Sequence, residues 1–236
     1  MNEETRRKLS AVSTATLTTV LLKRGFRNLF LQGPLPVNPG ALPMVGPAFT
    51  LRYIPAREDL DTLDAFLDPT HPQRAGIEAC PPGHVFVIDS RGDARAASAG
   101  GILITRLKAR GVAGIVTDGG FRDTPELQQM DFPVFQSRPS APTNLIRHHA
   151  VDTNLPIACG EVPVFPGDIM VGDGEGVVCI PAAIADEVAA EAFEQTVVED
   201  FVQERVAAGQ SIRGLYPMTD PANREALAAW RKQKGR

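Results

Sequence analysis

The sequence predicts an α/β fold on three observations. Val85-Phe86-Val87-Ile88-Asp89 and Val112 to Thr117 are apolar runs of strand length, and Gly100 to Arg110 between them is patterned as a helix. Such a strand, helix, strand unit should pair its strands in parallel. Further short apolar segments, separated by Gly and Pro turns, continue the strands through the later half of the chain. Amphipathic stretches at Arg6 to Gly25 and Ala182 to Ala208 frame those strands with helices.

Each element has its own local reason. Leu9, Val12, Leu17, Val20 and Leu21 recur at near-helical spacing, with Ser13 and Thr14 able to cap an internal start, so the N-terminal helical region should break near Ser13. Pro34, Pro36, Pro39 and Pro43 punctuate a loop, after which Ala48 to Tyr53 alternates as the first strand of a core sheet. Arg57 to Ala79 mixes Leu60, Leu63, Phe66 and Leu67 with acids, which reads as an exposed helix followed by a loop around Pro69 and Pro72. Phe132-Pro133-Val134-Phe135 and Ile157-Ala158-Cys159-Gly160 are short strands. Val164 to Asp173 and Gly176 to Pro181 make two more around a Gly-rich hairpin. The tail is polar, with a last helix at Asn223 to Lys232. The expected organisation is one domain over residues 1–208 and a C-terminal extension over 209–236.

Composition excludes several functions. The chain has 236 residues, 43% of them hydrophobic and 22% charged, enough to bury a sizeable core. A formal net charge of -4 and no concentrated run of Lys and Arg argue against nucleic acid as a direct ligand. No uninterrupted apolar stretch is long enough for a membrane span, and Met1 to Leu9 is polar, without a signal core. Cys80, Cys159 and Cys179 lie far apart with no paired spacing, which suggests reduced thiols and a cytoplasmic location. Cys179, within an apolar strand, reads as core.

The segment richest in chemistry is Gly111 to Asp123, an apolar strand that ends in Gly119-Gly120 and delivers Arg122 beside Asp123. A guanidinium next to a carboxylate at a strand end suits a site that holds a metal ion and an anionic substrate together. Asp123 also reads as a cap for a helix beginning Thr124-Pro125-Glu126, and the two roles are compatible. Upstream, Gly100-Gly101 reads either as a tight entry to a packed helix or as a turn whose following amides, Ile102 to Thr105, bind a carboxylate.

These residues carry a resemblance. Residues 111–123, Gly-Val-Ala-Gly-Ile-Val-x-Asp-Gly-x-x-Arg-Asp, followed by Pro-Gly-Asp-Ile-x-Val-Gly-Asp-x-x-Gly-Val-Val-x-Ile-Pro at 166–181, resemble the RraA-like family. That family includes the regulator of ribonuclease activity A and the 4-hydroxy-4-methyl-2-oxoglutarate and 4-carboxy-4-hydroxy-2-oxoadipate aldolases. The resemblance implies a swivelling β/β/α domain with N- and C-terminal helices, assembled as a homotrimer or homohexamer with sites between subunits. For activity it implies a Mg²⁺- or Mn²⁺-dependent lyase. Such an enzyme cleaves a 4-hydroxy-2-oxo acid to pyruvate, or decarboxylates oxaloacetate, through a stabilised enolate. The family's other branch implies a non-catalytic regulator that binds a ribonuclease, and a dehydratase or other sugar-acid reaction is a third expectation.

The resemblance carries Arg122 onto the substrate-contacting catalytic arginine and Asp123 onto the metal-binding catalytic aspartate. Gly100, Gly101, Ile102, Leu103 and Ile104 fall on the turn whose amides face the substrate. One departure stands out. The aldolases have an acidic residue upstream of the pair, at the position Gly101 holds here.

Other polar residues read more plainly. Asp89, Ser90, Arg91 and Asp93 follow a strand parallel to the one ending at Asp118, so one of them could stand in for the missing carboxylate. His148 and His149 are expected on a helix or loop, solvated or at an interface, while His84 and His71 read as turn and loop residues. Glu199, Asp200 and Glu204 read as a solvated helix face that could reach a neighbouring subunit. The acid-rich turns at Asp168 and Gly172 to Gly176 read as hairpins, because they lack the ligand spacing of a calcium loop.

Overall fold

The structure is a computed structural model that describes residues 1–235, and Arg236, the end of the expected extension, lies outside them. The chain begins with α1 (Glu3–Leu9) and α2 (Thr14–Lys23), divided where Ser13 accepts the Thr16 N–H and so caps α2. A short β1 (Leu35–Pro36) precedes the long β2 (Met44–Pro55). Then come α3 (Pro72–Ala79), β3 (Val85–Asp89), β4 (Ala97–Ala99), α4 (Gly101–Ala109), β5 (Gly114–Thr117), β6 (Gly120–Phe121) and α5 (Thr124–Leu127). After β7 (Val134–Gln136) follow β8 (His148–Thr153), β9 (Ile157–Cys159), β10 (Val162–Val164), β11 (Ile169–Gly172) and β12 (Val177–Ile180). The long α6 (Ala185–Ala207) and α7 (Pro221–Lys234) close the chain.

The main sheet runs β1-β7-β5-β3-β2-β11-β12, with β8 also on β2, and it curls into a half-barrel. The curl follows from the length of β2. One edge of β2 pairs in parallel with β3 over Ala48 to Arg52, while its other edge holds β11 at Met44 to Pro47 and then β8 at Leu51 to Pro55. Within the β8 pairing the register shifts between Arg52 and Tyr53, leaving Val151 of β8 as the extra residue of a bulge. The expected parallel unit is present, with β3 beside β5 and α4 in the connection.

Both faces of this sheet are covered, so its strands read as continuous apolar runs. Phe86, Ile88 and Ile115 point to one face, where Ile104 and Leu107 of α4 and Ile77 of α3 pack on them. Val85, Val87 and Val116 point to the other, against Phe135, Met170 and Cys179. A third cluster joins Leu17, Val20 and Leu21 of α2 and Val188, Ala189 and Ala192 of α6 to Val171, Val178 and Ile180. The extension has a small core of its own, where Trp230 and Leu215 meet Phe201 and Val197 of α6. No helix among the described residues is long and apolar enough to cross a membrane.

Two expectations are corrected. Pro72 begins α3 instead of sitting in a loop, because proline is favoured in a first helical turn, and the expected exposed helix before it is only the short 3-10 turn Leu63–Leu67. His148 and His149 lie on β8, antiparallel to β2, and not on a helix or loop. His148 is 0% exposed and stacks on Tyr53 with ring centroids 5.1 Å apart. Its Nε2–H faces the Ala96 carbonyl at 3.3 Å, which leaves Nδ1 to accept from Arg91 at 3.3 Å and keeps the ring neutral.

Two outcomes follow for stability. Asp173 accepts the Thr14 N–H at 2.7 Å and the Thr14 hydroxyl at 2.9 Å, satisfying an orphan donor of α2. Asp173→Ala should lower the unfolding free energy by about 1–2 kcal/mol in a urea titration. Burial lowers the basicity of His148, so the unfolded chain binds its proton more readily than the folded one. The stability this contributes is complete above about pH 6.5 and is lost as pH falls from there toward the lowered folded value. Denaturation curves between pH 7 and 5 should show the loss at up to about 1.4 kcal/mol per pH unit, with a shallower slope for His148→Gln.

Candidate functional site

A two-stranded parallel sheet builds the site. β4 pairs with β6, Ala97 opposite Gly120 and Ala99 opposite Phe121, and the Arg122 N–H extends the pairing to the Ala99 carbonyl at 3.1 Å. Gly100-Gly101 and Arg122-Asp123 therefore leave the strands side by side. Gly100 permits the approach. A Cβ there would lie 2.7 Å from Arg122 Cγ and 2.9 Å from Asp123 Oδ2. Asp123 has φ 63 and ψ 30, the left-handed region that Asp tolerates better than most residues.

That backbone turns the Asp123 carboxylate away from the helix it precedes. Its side chain makes no cap on α5, and instead Oδ2 accepts the Gly101 N–H at 2.9 Å, at the start of α4. The expected side-chain cap on the helix beginning at Thr124 is therefore corrected: the carboxylate serves the start of α4 instead. Oδ1 lies 3.5 Å from Arg122 Nε, and the two side chains remain 48% and 36% exposed for Arg122 and Asp123.

Both side chains line a cavity of about 500 Å³, together with Gly100, Ile102 and Leu103. Ile102 and Leu103 occupy the first turn of α4, where backbone N–H groups have no intrahelical partner. Gly101 stands behind this wall with its N–H given to Asp123. Ile104 does not belong to it. Its N–H bonds the Gly100 carbonyl at 3.1 Å, and its side chain is fully buried in the core, so the expected substrate contact is corrected.

The structure adds residues that the sequence reading passed over. Phe66, Gln73, Arg74, Glu126 and Asn144 share the cavity wall. Glu126 Oε2 lies 3.3 Å from where a Cβ on Gly101 would stand, so a carboxylate is present at the place where Gly101 brings none. Its position one helical turn after Asp123 was the available signal.

Asp89, Ser90, Arg91 and Asp93 are outside this cavity lining, which corrects the expectation that one of them supplies the carboxylate. Asp89 accepts the N–H groups of Arg91 at 2.8 Å and Ala158 at 3.3 Å, and burial raises its carboxyl above the usual range. Asp118 likewise accepts from Ser90 at 2.7 Å, Gly92 at 2.9 Å and Gly160 at 3.4 Å, and its carboxyl is also raised by burial. The Arg95 side chain holds Asp93 well below the ordinary carboxylate range. These are loop-fixing acids.

The acids of α6 are not a plain solvated face either. Glu199 accepts the Thr16 hydroxyl at 2.8 Å, and Glu204 accepts the Trp230 indole N–H at 3.0 Å. Cys179 is buried and its thiol is pushed up by burial, as a core cysteine should be.

An α/β half-barrel whose glycine turn meets an Arg–Asp pair defines the architectural class, and comparison with known proteins supplies the family. The family described as RraA-like, Aldolase/RraA, matches residues 14–179. The chain belongs to that family. It is 33% identical over 162 residues to a protein of Halalkalibacterium halodurans named "Putative 4-hydroxy-4-methyl-2-oxoglutarate aldolase", an alignment covering 69% of this chain and 70% of the other. Among solved structures it is similar to an uncharacterized protein from Pseudomonas syringae pv. tomato, with TM-score 0.80, 25% identity and coverage of 92% and 95% of the two chains. It is also similar to Streptomyces coelicolor RraAS2, described as an unusual member of the RNase ES inhibitor RraA protein family. That likeness has TM-score 0.75, 31% identity and coverage of 86% and 97%.

The two glycines should respond differently to one added carbon. Gly100→Ala must push against Arg122 Cγ at 2.7 Å, whereas Gly101→Ala meets the movable Glu126 carboxylate at 3.3 Å. Urea unfolding should show a loss of about 1–3 kcal/mol for the first and a change within about 0.5 kcal/mol for the second. Equal effects would mean that the close approach at Gly100 is not a constraint.

Proposed function

We propose that this protein is a divalent-metal-dependent lyase of small oxo acids. It would cleave a 4-hydroxy-2-oxo acid to pyruvate and decarboxylate oxaloacetate through the same enolate. The observation that carries this reading is the convergence of the Arg122 guanidinium, the Asp123 carboxylate and the first turn of α4 on one cavity. The name of the Halalkalibacterium relative supports the aldolase class.

The residues fit a hard dication of a particular kind. Asp123 offers carboxylate oxygens, and no group of three His, Cys, Asp or Glu among the described residues is placed to hold an ion. Mg²⁺ or Mn²⁺ would therefore keep several waters and take further oxygens from the oxo acid itself. Bound there, the ion would supply Lewis-acid polarisation of the keto oxygen.

The chain's own groups would do the rest. Free N–H groups in the first turn of α4 receive the carboxylate beside the keto carbon. When the C3–C4 bond breaks, its electron pair stays on C3 as the enolate of pyruvate, and Arg122 places a permanent positive charge by the enolate oxygen. The 4-hydroxyl must give up its proton as C4 becomes a carbonyl, and Glu126 is the carboxylate at this opening to take it. Decarboxylation of oxaloacetate forms the same enolate without that base.

The reading extends to a homo-oligomer, since Leu63, Ile102 and Ile146, 74%, 87% and 56% exposed, surround the cavity and the adjoining groove. The likeness to RraAS2 favours a second reading, a protein-binding regulator of a ribonuclease, for which Arg122 and Asp123 would be dispensable.

Pyruvate release separates the two readings. With Mg²⁺ or Mn²⁺, purified protein should form pyruvate from 4-hydroxy-4-methyl-2-oxoglutarate and oxaloacetate, and a chelator should stop it. Asp123→Asn and Arg122→Ala should each lower kcat/KM by roughly 10²- to 10³-fold. Glu126→Gln should impair cleavage more than decarboxylation. No pyruvate from either substrate would sink the lyase reading, and ribonuclease inhibition surviving in Arg122→Ala would favour the regulator.

A further inference from the structure

The Arg122-Asp123 turn is strained, and the elements on either side of it are short. Asp123 holds a left-handed backbone, a conformation that persists only where its surroundings over-determine it. The helix that follows, α5, has four residues, too few for a helix to be rigid by itself. The strand before it, β6, has two residues and belongs to a sheet of two strands. The Arg122 N–H faces β4, so the Phe121 N–H, one residue earlier, faces the edge of β6 that has no strand beside it. Phe121 is fully buried, and this donor therefore needs a partner inside the protein.

Gln136 supplies that partner from the main sheet. It is the last residue of β7 and 5% exposed, and Phe135 before it pairs with Val116 of β5. Its Oε1 accepts the Phe121 N–H at 2.7 Å. The other arm of the amide, Nε2, donates to the Thr124 hydroxyl at 3.4 Å, and that hydroxyl donates to the Phe121 carbonyl at the same distance. One planar amide thus holds the residue before Arg122 and the residue after Asp123. Ser137 ties down the glycine turn in the same way, with its N–H on the Gly119 carbonyl at 2.9 Å and its hydroxyl on the Asp118 carbonyl at 2.7 Å. Gln136 and Thr124 are outside the cavity lining, so neither is placed to touch what enters it.

We propose that Gln136 is a positioning residue, which acts through the Phe121 peptide and Thr124 to aim Arg122 and Asp123 into the cavity. The inference rests on the lyase reading for what that aim achieves, a dication at Asp123 and a developing enolate at Arg122. Charges preorganised for a transition state lose their effect when they shift by a fraction of an ångström. The first turn of α4 has a separate anchor, since Ile104 and Leu107 pack in the core. Cutting the clamp at Gln136 therefore acts on the reacting step and spares the amides that receive the substrate carboxylate.

Gln136→Met keeps the length of the side chain and removes both amide arms. Hydrogen–deuterium exchange reads the turn without turnover, because the Gly101 N–H is covered by Asp123 Oδ2 and the Arg122 N–H by the Ala99 carbonyl. Both amides should exchange at least about tenfold faster in the variant, while those of Val87 and Val116 in the main sheet keep their rates. In pyruvate release with saturating Mn²⁺, kcat should fall about tenfold or more and KM should change by less than about threefold. Thr124→Val cuts only the longer arm and should move both readouts in the same direction by a smaller factor. It carries the test if Gln136→Met does not fold. Faster exchange throughout the main sheet with kcat unchanged would make Gln136 a packing residue and overturn the proposal. If the wild-type protein releases no pyruvate but the Gly101 and Arg122 amides are selectively loosened, the lyase reading fails and the clamp stands. Pyruvate release with kcat and the turn amides indifferent to both substitutions is the reverse result.

Discussion

The bond from the Gly101 N–H to Asp123 Oδ2 is the constraint on which this site depends. It ties the start of α4 to the turn after β6, so one carboxylate fixes the helix terminus and the position of the arginine before it. The pairing of β4 with β6 brings the two turns into register, and Gly100 lets them touch. Asp123 accepts a left-handed backbone, which costs about 1–2 kcal/mol, and its side chain recovers part of that through the amide bond. A residue under such strain within a cavity is expected where position matters more than stability.

Behind the site, the sheet supplies rigidity through polar as well as apolar groups. The Ser90, Ser98 and Thr117 hydroxyls form a buried triangle with separations of 2.6 to 3.0 Å that ties Ser98 of β4 to the ends of β3 and β5. Asp118 then gathers three backbone N–H groups from two loops. Its raised carboxyl pKa shows the cost of burial, and the three bonds offset it in part. The consequence is a fixed β4, and through β4 a fixed Gly100.

Elements with strong periodicity were legible in the sequence. The parallel β3, α4, β5 unit, the β11–β12 hairpin, the break at Ser13 and the long α6 follow from patterns that tertiary contacts reinforce. The Arg122-Asp123 pair and the turn at Gly100 were legible because glycine spacing and an adjacent charge pair are local features. What stayed hidden is set by distant contacts. His148 alternates with Ala150 on the buried side of β8, but two adjacent histidines resemble a polar turn until β2 is known to cover one of them. Arg74 and Asn144 are 70 positions apart, on α3 and in the 3-10 turn Asn144–Ile146 before β8, and line one cavity because α3 and β8 pack against each other and on β2.

The charges of the cavity wall also constrain what can enter it. Arg74 and Arg122 carry two positive charges, and Asp123 and Glu126 carry two negative ones, so the wall offers no net attraction to an anion. Selectivity must come from where the charges stand. The carboxylates gather at the Gly101 end beside Arg122, while Arg74 stands over Phe66 with no ion pair among the described residues.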